Sequence, residues 1–542
     1  MSENGTGASE NGTRIGHVAS VSGSKVAGVL EETESPEALA SLAEAVQIGA
    51  LVKMPTPRAT VFGIVSALSE RDPAASPQRS NGRVMEIDLF GEGRPNGDAS
   101  FKFQRGVSSY PGLGNTIYPA SPEDLAKIYA CPEEANVCFG TLHQDRSLPT
   151  HLVTDQLLGK HFAILGTTGS GKSCALTVIL KALLGENPYG HVVLLDPHNE
   201  YGRAFGEAAE LISPATLELP YWLLNFEELV SVLCSLDRNE RQTEAGILKE
   251  AVMRAKRSFV GDGELAGYLT VDTPVPYRLS GLIEFIDEAV GKLDKPQENA
   301  PFLRLKARIE SLRSDRRFGF MFAGLSVRDT LPELLSTMLR IPVSGKPITI
   351  FDLSGVPSEI VDVVVSVLCR VIFDFGLWSE RGKAVPLLFV CEEAHRYIPQ
   401  DADAGFGPTR KAIARIAKEG RKYGISLCLV TQRPSELSET ILSQCNTLFI
   451  MRMSNEKDQD YVRRAVPENA AGLLSALPAL QTQEALVVGE GVTLPMRVRL
   501  NDLSEANRPH SETAPFSIAW RQDSDQSALI AETIDRWRKQ SR

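Results

Sequence analysis

Residues 161–184 read HFAILGTTGSGKSCALTVILKALL. The stretch is a buried strand, a glycine-bearing turn and a helix in succession. HFAIL is a short continuous apolar run, the pattern of a strand covered on both faces. CALTVILKALL has the look of a packed helix. Between them, GTTGSGKS (residues 166–173) fits G-x-x-x-x-G-K-[ST]. Small residues in such a loop let successive backbone N–H groups turn inward around phosphate oxygens. Lys172 then reaches the β- and γ-phosphates, and the Ser173 hydroxyl ligates Mg²⁺. The helix N-terminus behind the loop adds a favourable dipole field. The expected nucleotide loop is Gly166, Thr167, Thr168, Gly169, Ser170, Gly171, Lys172, Ser173 and Cys174.

Further along, HVVLLD, PITIFDL, PLLFVC, ISLCLVT and NTLFIMR repeat the pattern of HFAIL. Helical periodicity fills many of the gaps between them. The fold class expected is α/β, a RecA-like P-loop core with a mostly parallel sheet. Ligand is expected at the carboxyl ends of its strands. Between about 225 and 340 the strand signal stops and charged amphipathic helices replace it, which predicts a helical insertion.

Before the core the pattern differs. RIGHVASVSGSKVAGVL, QIGALVKM and TVFGIVSAL are β-branched runs broken by Gly, and VMEIDLF alternates as a half-buried strand. Several such strands in about 100 residues predict a small N-terminal β-barrel. The expected division is a disordered tail over 1–13, a barrel with connector over 14–130, and the ATPase core over 131–505. A C-terminal extension ending in a brace helix takes 506–542. RDPAASPQRSNGR (71–83) reads as a loop, and SPEDLAKIYA (121–130) as a short helix.

The 542 residues are 43% hydrophobic and 23% charged, ordinary globular material. The net charge of −11 argues against a uniformly basic nucleic-acid binder, while leaving room for a local basic channel. The eight cysteines form no C-x-x-C pair and no zinc-ligand spacing, which fits a reduced, cytoplasmic setting. The N-terminus has no apolar segment of signal-peptide type. The run at 360–378 carries Asp362, Arg370 and Asp374, so it reads as a buried helix rather than a membrane span.

A P-loop that hydrolyses its nucleotide needs carboxylates at the tip of another buried strand. PLLFVCEEAHRYIP supplies Glu392, placed to hold Mg²⁺ through water, and Glu393, placed to polarise the attacking water. Two adjacent carboxylates are expensive to bury without a cation. A small-molecule kinase needs no hydrolytic glutamate at that point. The N-K-x-D of GTPases is absent, since Asn455-Glu456-Lys457-Asp458 has the wrong order. The L-S-G-G-Q of ABC ATPases stops at Leu279-Ser280-Gly281. In residues 415–447 a basic helix runs into ISLCLVT, which ends in Thr431-Gln432. Gln432 is placed to sense the γ-phosphate. Arg421, in EGRKYG, falls on a rim suited to facing an adjacent subunit, from which an arginine stabilises transition-state charge.

Taken in order, LLGKHFAILGTTGSGKS, LLDPHNEYG, IFDLSGVP, LFVCEEAHRYIP, AKEGRKYGISLCLVTQRP and LSQCNTLFIMRMSN resemble the HerA-like ATPases of the FtsK–HerA superfamily. RIGHVASVSGSKV and VFGIVSAL look like the barrel that precedes the HerA motor. One departure is Glu-Glu where many relatives carry Asp-Glu; a glutamate still reaches a metal-bound water.

The resemblance implies a homohexameric ring that hydrolyses ATP with Mg²⁺ between subunits and translocates on double-stranded DNA. Lys172, Ser173, Glu392 and Glu393 would act in cis, and Arg421 in trans together with Lys160. Asp196, His198 and Glu200 of DPHNEY would lie near the site. Arg410, Lys411, Arg415 and Lys418 are candidates for non-sequence-specific DNA contact, and the run at 304–317 is a second basic stretch. The resemblance further implies a NurA-like nuclease, or a nuclease or NADase defence effector, as partner, with the barrel as docking surface and no membrane. Two alternatives stay open. One is a ring scaffold that binds ATP and assembles an effector with little translocation. The other is a VirB4-type secretion or conjugation ATPase.

Overall fold

The computed structural model describes residues 13–31, 46–70, 83–95, 101–213, 216, 219–292, 296–322, 327–380, 382–401, 404–467, 470, 472–510, 516–521 and 527–539. Most of the expected tail over 1–13 and loop over 71–83 lies outside them.

The first seven strands are β1 (Gly16–Ser22), β2 (Lys25–Leu30), β3 (Leu51–Pro55), β4 (Thr60–Glu70), β5 (Arg83–Pro95), β6 (Phe101–Arg105) and β7 (Thr116–Pro119). They pair in the order β2-β1-β7-β3-β4-β5-β6, and an added β2–β5 pairing closes six of them into a barrel. Closure removes the open edges that a short sheet otherwise exposes. Val18, Val52, Val61, Met85, Ile87 and Ile117 fill the interior. β6 hangs on the far end of β5, outside the ring.

The barrel is not free of the rest of the chain. Its Leu51, Phe62, Ile64 and Phe90 belong to the main hydrophobic core. Lys53 in β3 donates to Asp124 at 2.8 Å, with both side chains about nine-tenths buried. Asp124 also closes a capping box with Ser121 at the start of helix α1 (Pro122–Ile128). Asp88, expected on the polar face of a half-buried strand, is instead buried. Gly472 explains this: a side chain there would meet Ser66 Cβ at 2.2 Å and Asp88 Oδ2 at 2.7 Å, so the core backbone presses onto the barrel's outer face.

Eleven strands form the second sheet: β8 (Asn136–Leu142), β9 (Pro149–Val153), β10 (His161–Leu165), β11 (Val192–Asp196), β12 (Ala209–Ile212), β13 (Ile348–Asp352), β14 (Leu387–Cys391), β15 (Ile425–Thr431), β16 (Cys445–Ile450), β17 (Glu484–Gly489) and β18 (Met496–Leu500). Their order is β12-β13-β11-β14-β15-β10-β16-β17-β18-β8-β9. From β12 to β16 every neighbour is parallel. The sheet then turns antiparallel through β17, β18, β8 and β9. The six apolar runs beginning with HFAIL are β10, β11, β13, β14, β15 and β16. β17 (EALVVG) is likewise a short buried apolar run that the sequence reading passed over, whereas β18, β8 and β9 carry no such signature; in MRVRL, for example, buried positions alternate with half-buried ones.

Helix α2 (Lys172–Glu186) follows β10 directly. Between β12 and β13 the longer elements are helical: α3 (Phe226–Leu233), α4 (Arg238–Val260), α5 (Leu279–Val290) and α6 (Pro296–Ser314), followed by a nine-residue helix over Leu331–Leu339. Helix α7 (Ser358–Trp378) packs against α8 (Gly407–Glu419). Among the described residues no helix is long and apolar enough to cross a membrane.

Candidate nucleotide site

Register brings the site together. Leu165, the last residue of β10, lies opposite Thr431, the last residue of β15. Leu195 in β11 pairs with Cys391, the last residue of β14, and Asp196 pairs with Asp352. The segments after these residues therefore emerge at one edge of the sheet, where a ligand is expected in an open α/β fold.

The loop after β10 is shaped by its glycines. Gly169 and Gly171 hold φ of 74° and 99°, conformations strained for any residue with a side chain. A Cβ on Gly166 would lie 2.8 Å from Met451 Cβ. The Thr167 backbone N–H donates to Arg452 O at 3.0 Å, and Lys172 Nζ donates to Thr167 O at 3.1 Å. Thr168 Oγ1 touches Gln432 Oε1, which ties the loop to the end of β15. The Ser170 hydroxyl is buried without a hydrogen-bond partner.

Carboxylates crowd the opposite side. Glu392 is buried, and its Oε1 accepts from Tyr201 Oη at 2.8 Å. Burial pushes the Glu392 pKa well above the usual carboxylate range. Asp196, Glu200 and Glu393 push the same way, while the Tyr201 hydroxyl opposes them. Asp196 caps the turn that follows it by accepting from the backbone N–H groups of His198, Glu200 and Tyr201 at 3.2, 3.1 and 3.0 Å. Burial raises its pKa too, against those three hydrogen bonds. Lys172 faces the cluster. Burial lowers its pKa, and Glu393, Glu392 and Glu200 pull it back up.

Glu393 has a left-handed backbone, φ 51°, which costs a non-glycine residue of order 1 kcal/mol or more. Its Oε1 lies 3.7 Å from His198 Nε2, and its Oε2 lies 3.2 Å from His395 Nδ1. The second contact lacks hydrogen-bond alignment, so Glu393 Oε2 is buried without a hydrogen bond, as is Glu392 Oε2.

Lys160 and Arg421 sit elsewhere. Lys160 immediately precedes β10, and Arg421 lies in the turn Gly420–Tyr423 just ahead of β15. At about 3.3 Å per residue, the six steps from Lys160 through β10 to Gly166 put Lys160 roughly 20 Å from the start of the phosphate loop. The two cations are near each other, since the charge of Arg421 acts on both Lys160 and His161. Lys160 Nζ is paired with Glu490. Both residues stand at the end of their strands away from the phosphate loop of their own chain.

The basic stretches separate on inspection. Arg304 pairs with Glu244 at 2.9 Å, Lys306 with Asp287 at 2.6 Å and Arg317 with Asp315 at 2.7 Å, so much of that run is internally neutralised. On α8, Lys411 pairs with Glu227. Arg415 lies over the Phe373 ring at 4.1 Å and 3.7 Å from Asp374. Arg410 is half-buried, and Lys418 is exposed. Tyr201, Thr431 and His395 are the site residues that sequence reasoning did not single out. Each stood inside a motif already quoted, but a hydroxyl or imidazole aimed at a carboxylate has no sequence signature.

Fold and site define a RecA-like P-loop nucleotide-binding protein. Residues 137–372 match the family model for helicase HerA, central domain. The chain is 28% identical over 427 residues to the DNA double-strand break repair helicase HerA of Pyrococcus furiosus, covering 72% of this chain and 74% of that one. It is 23% identical over 491 residues to the HerA of Saccharolobus solfataricus, covering 87% and 91%. Among solved structures, the plasmid coupling protein TrwB with an ATP analogue aligns at TM-score 0.48 and 15% identity over 72% of this chain and 94% of that one. VirB4 of Thermoanaerobacter pseudethanolicus aligns at TM-score 0.45 and 16% identity, covering 69% and 99%. The chain is a P-loop ATPase similar to the HerA helicases, and residues 137–372 are the part that matches the HerA central domain.

Proposed function

We propose that this chain hydrolyses ATP at the seam between identical subunits of a hexameric ring and uses the energy to translocate on double-stranded DNA. The supporting observation is the split site. Lys172, Ser173, Glu392 and Glu393 converge at one edge of the sheet, while Lys160 and Arg421 stand together at the other. A cationic pair that cannot reach its own loop fits a role in the neighbour's.

Mg²⁺ fits this arrangement. Two buried carboxylate oxygens, Glu392 Oε2 and Glu393 Oε2, have no hydrogen bond, and several acids face one lysine. Among the described residues no three His, Cys, Asp or Glu side chains form a metal cage, which suits an ion held chiefly by phosphate and water. Ser173 would ligate it, and Glu392 would hold its water. Bound Mg²⁺ neutralises charge on the phosphates. Glu393 takes a proton from the attacking water, Lys172 and the loop N–H groups hold the phosphates, and Gln432 reports the γ-phosphate to β15. Arg421 and Lys160 from the adjacent subunit stabilise the charge that builds in the transition state.

DNA contact is assigned to α8 on the strength of Lys418, which is exposed, and Arg410, which is half-buried, since Lys411 and Arg415 are paired with Glu227 and Asp374 much as Arg304, Lys306 and Arg317 are paired in the other run. Sixfold repetition of a modest patch makes a strong, non-sequence-specific phosphate attractor. A nuclease or other effector working beside the motor, in DNA end repair or antiviral defence, and a cytoplasmic setting complete the reading. Its test is the ATPase rate with and without linear duplex. Several-fold stimulation by DNA, lost in Glu393→Gln, supports a motor. A rate indifferent to DNA, with effector activity intact in Glu393→Gln, favours an assembly scaffold instead.

A further inference from the structure

His395 follows Glu393 by two residues, in the short turn Ala394–Arg396. Its Nδ1 lies 3.1 Å from Thr431 Oγ1 and 3.2 Å from Glu393 Oε2. Burial lowers the imidazole pKa, so the neutral ring is favoured. A neutral imidazole has one N–H to give. A bare Nδ1 would set its lone pair against the Glu393 carboxylate, so the tautomer protonated at Nδ1 is the one that suits both neighbours. That single donor faces two acceptors at nearly equal distance and serves one of them. In this structure Nδ1 is aligned on Thr431 Oγ1, which also accepts from the Arg433 backbone N–H at 3.1 Å; with the proton on Nδ1 the hydrogen bond runs from His395 to Thr431, and Glu393 Oε2 is left without one.

Thr431 is not a passive acceptor. It pairs with Leu165, the residue before the phosphate loop, and its neighbour Gln432 contacts Thr168 within that loop. A nucleotide that moves Gln432 moves the adjoining Thr431 as well. Glu393 meanwhile has a strained backbone, and Tyr201 serves Glu392 rather than Glu393. Nothing else hydrogen-bonds Oε2.

We propose that His395 is a positioning residue for Glu393: Thr431 and Glu393 compete for its Nδ1–H, and displacement of the Thr431–Gln432 strand end by nucleotide hands that donor to Glu393 Oε2. The carboxylate is then held through Oε2, with Oε1 free to accept the proton of the attacking water. The exchange makes hydrolysis conditional on a sensed γ-phosphate. It rests on Glu393 being the general base.

Steady-state ATPase kinetics on the full chain test it, using His395→Ala, His395→Asn, Thr431→Val and Glu393→Gln. His395→Ala is expected to lower kcat roughly tenfold or more, as misplacement of a reacting group does, with KM for ATP unchanged. His395→Asn, whose amide N–H falls near the place of Nδ1, restores most of the loss, a rescue that a merely structural role does not predict. The effect of Thr431→Val on kcat disappears when it is added to His395→Ala, because the two act through one donor. Wild-type kcat in His395→Ala, no rescue by His395→Asn, or simple additivity with Thr431→Val overturns the proposal. Glu393→Gln separates the two levels. If it is inactive while His395→Ala is normal, only the positioning role falls; if it hydrolyses ATP normally, the base assignment falls with it.

Discussion

Tyr201 gives its hydroxyl proton to Glu392 Oε1 at 2.8 Å, joining the turn after β11 to the tip of β14. The tyrosine is fully buried, and the carboxylate has a second oxygen with no partner. This hydrogen bond is a large part of what makes an acid in such a place tolerable.

Tyr201→Phe removes that donor and leaves the carboxyl group with two orphan oxygens. Loss of a buried charge-assisted hydrogen bond costs about 1–3 kcal/mol. The variant is expected to melt several degrees lower without nucleotide and to recover part of the difference with Mg²⁺ and ATP. Differential scanning fluorimetry with and without Mg²⁺–ATP measures both. An unchanged melting temperature would mean that Glu392 is already protonated and needs no donor from Tyr201.

The pair Lys53–Asp124 ties the barrel to the connector helix. Lys53→Met strands a buried carboxylate and should destabilise by roughly 3 kcal/mol, whereas adding Asp124→Leu should recover much of that. Burial alone would raise the Asp124 pKa, but the hydrogen bonds from Lys53 and Ser121 win and lower it. A lowered native pKa means the stabilisation is complete above the ordinary value of 3.8 and is lost as pH falls through the native one. The penalty of Lys53→Met should therefore be full at pH 7 and shrink in acid. Urea titrations at several pH values read it directly.

The two basic stretches should separate under salt. Arg304→Ala removes one hydrogen-bonded partner of buried Glu244, so it should lower stability and leave DNA affinity unchanged. Lys418→Ala sits at an exposed position of α8 and should do the reverse. Each phosphate contact removed lowers the salt slope by about one. Fluorescence anisotropy with duplexes of unrelated sequence, taken across a salt series, distinguishes them. The prediction fails if Arg304→Ala weakens binding while its fold is intact.

The parallel part of the fold was legible because its information is local. HFAIL, PLLFVC and ISLCLVT are each apolar throughout, and the loop carries its Gly, Lys and Ser within eight consecutive residues. What could not be read is non-local. β18 pairs with β8 across more than 350 residues, and MRVRL has no apolar run to betray it. Asp88 is buried by Gly472, a residue in the other half of the chain. Tyr201 meets Glu392 across 191 positions and His395 meets Thr431 across 36. The sheet register creates these meetings, and alternation within one strand says nothing of them. Lys160 and Arg421 show the reverse case: both were singled out from the sequence, and only the topology reveals that they share the edge opposite the phosphate loop.

The central claim is that each nucleotide is hydrolysed by Glu393 of one subunit and Arg421 of the next. Mixing Glu393→Gln with Arg421→Ala under conditions that exchange subunits tests it most directly. Each variant alone should be nearly inactive. In mixed rings some seams join an intact Glu393 to an intact Arg421, so the account predicts ATPase activity well above the sum of the two, highest near equal proportions. A mixture that never exceeds that sum, despite demonstrated subunit exchange, would contradict it.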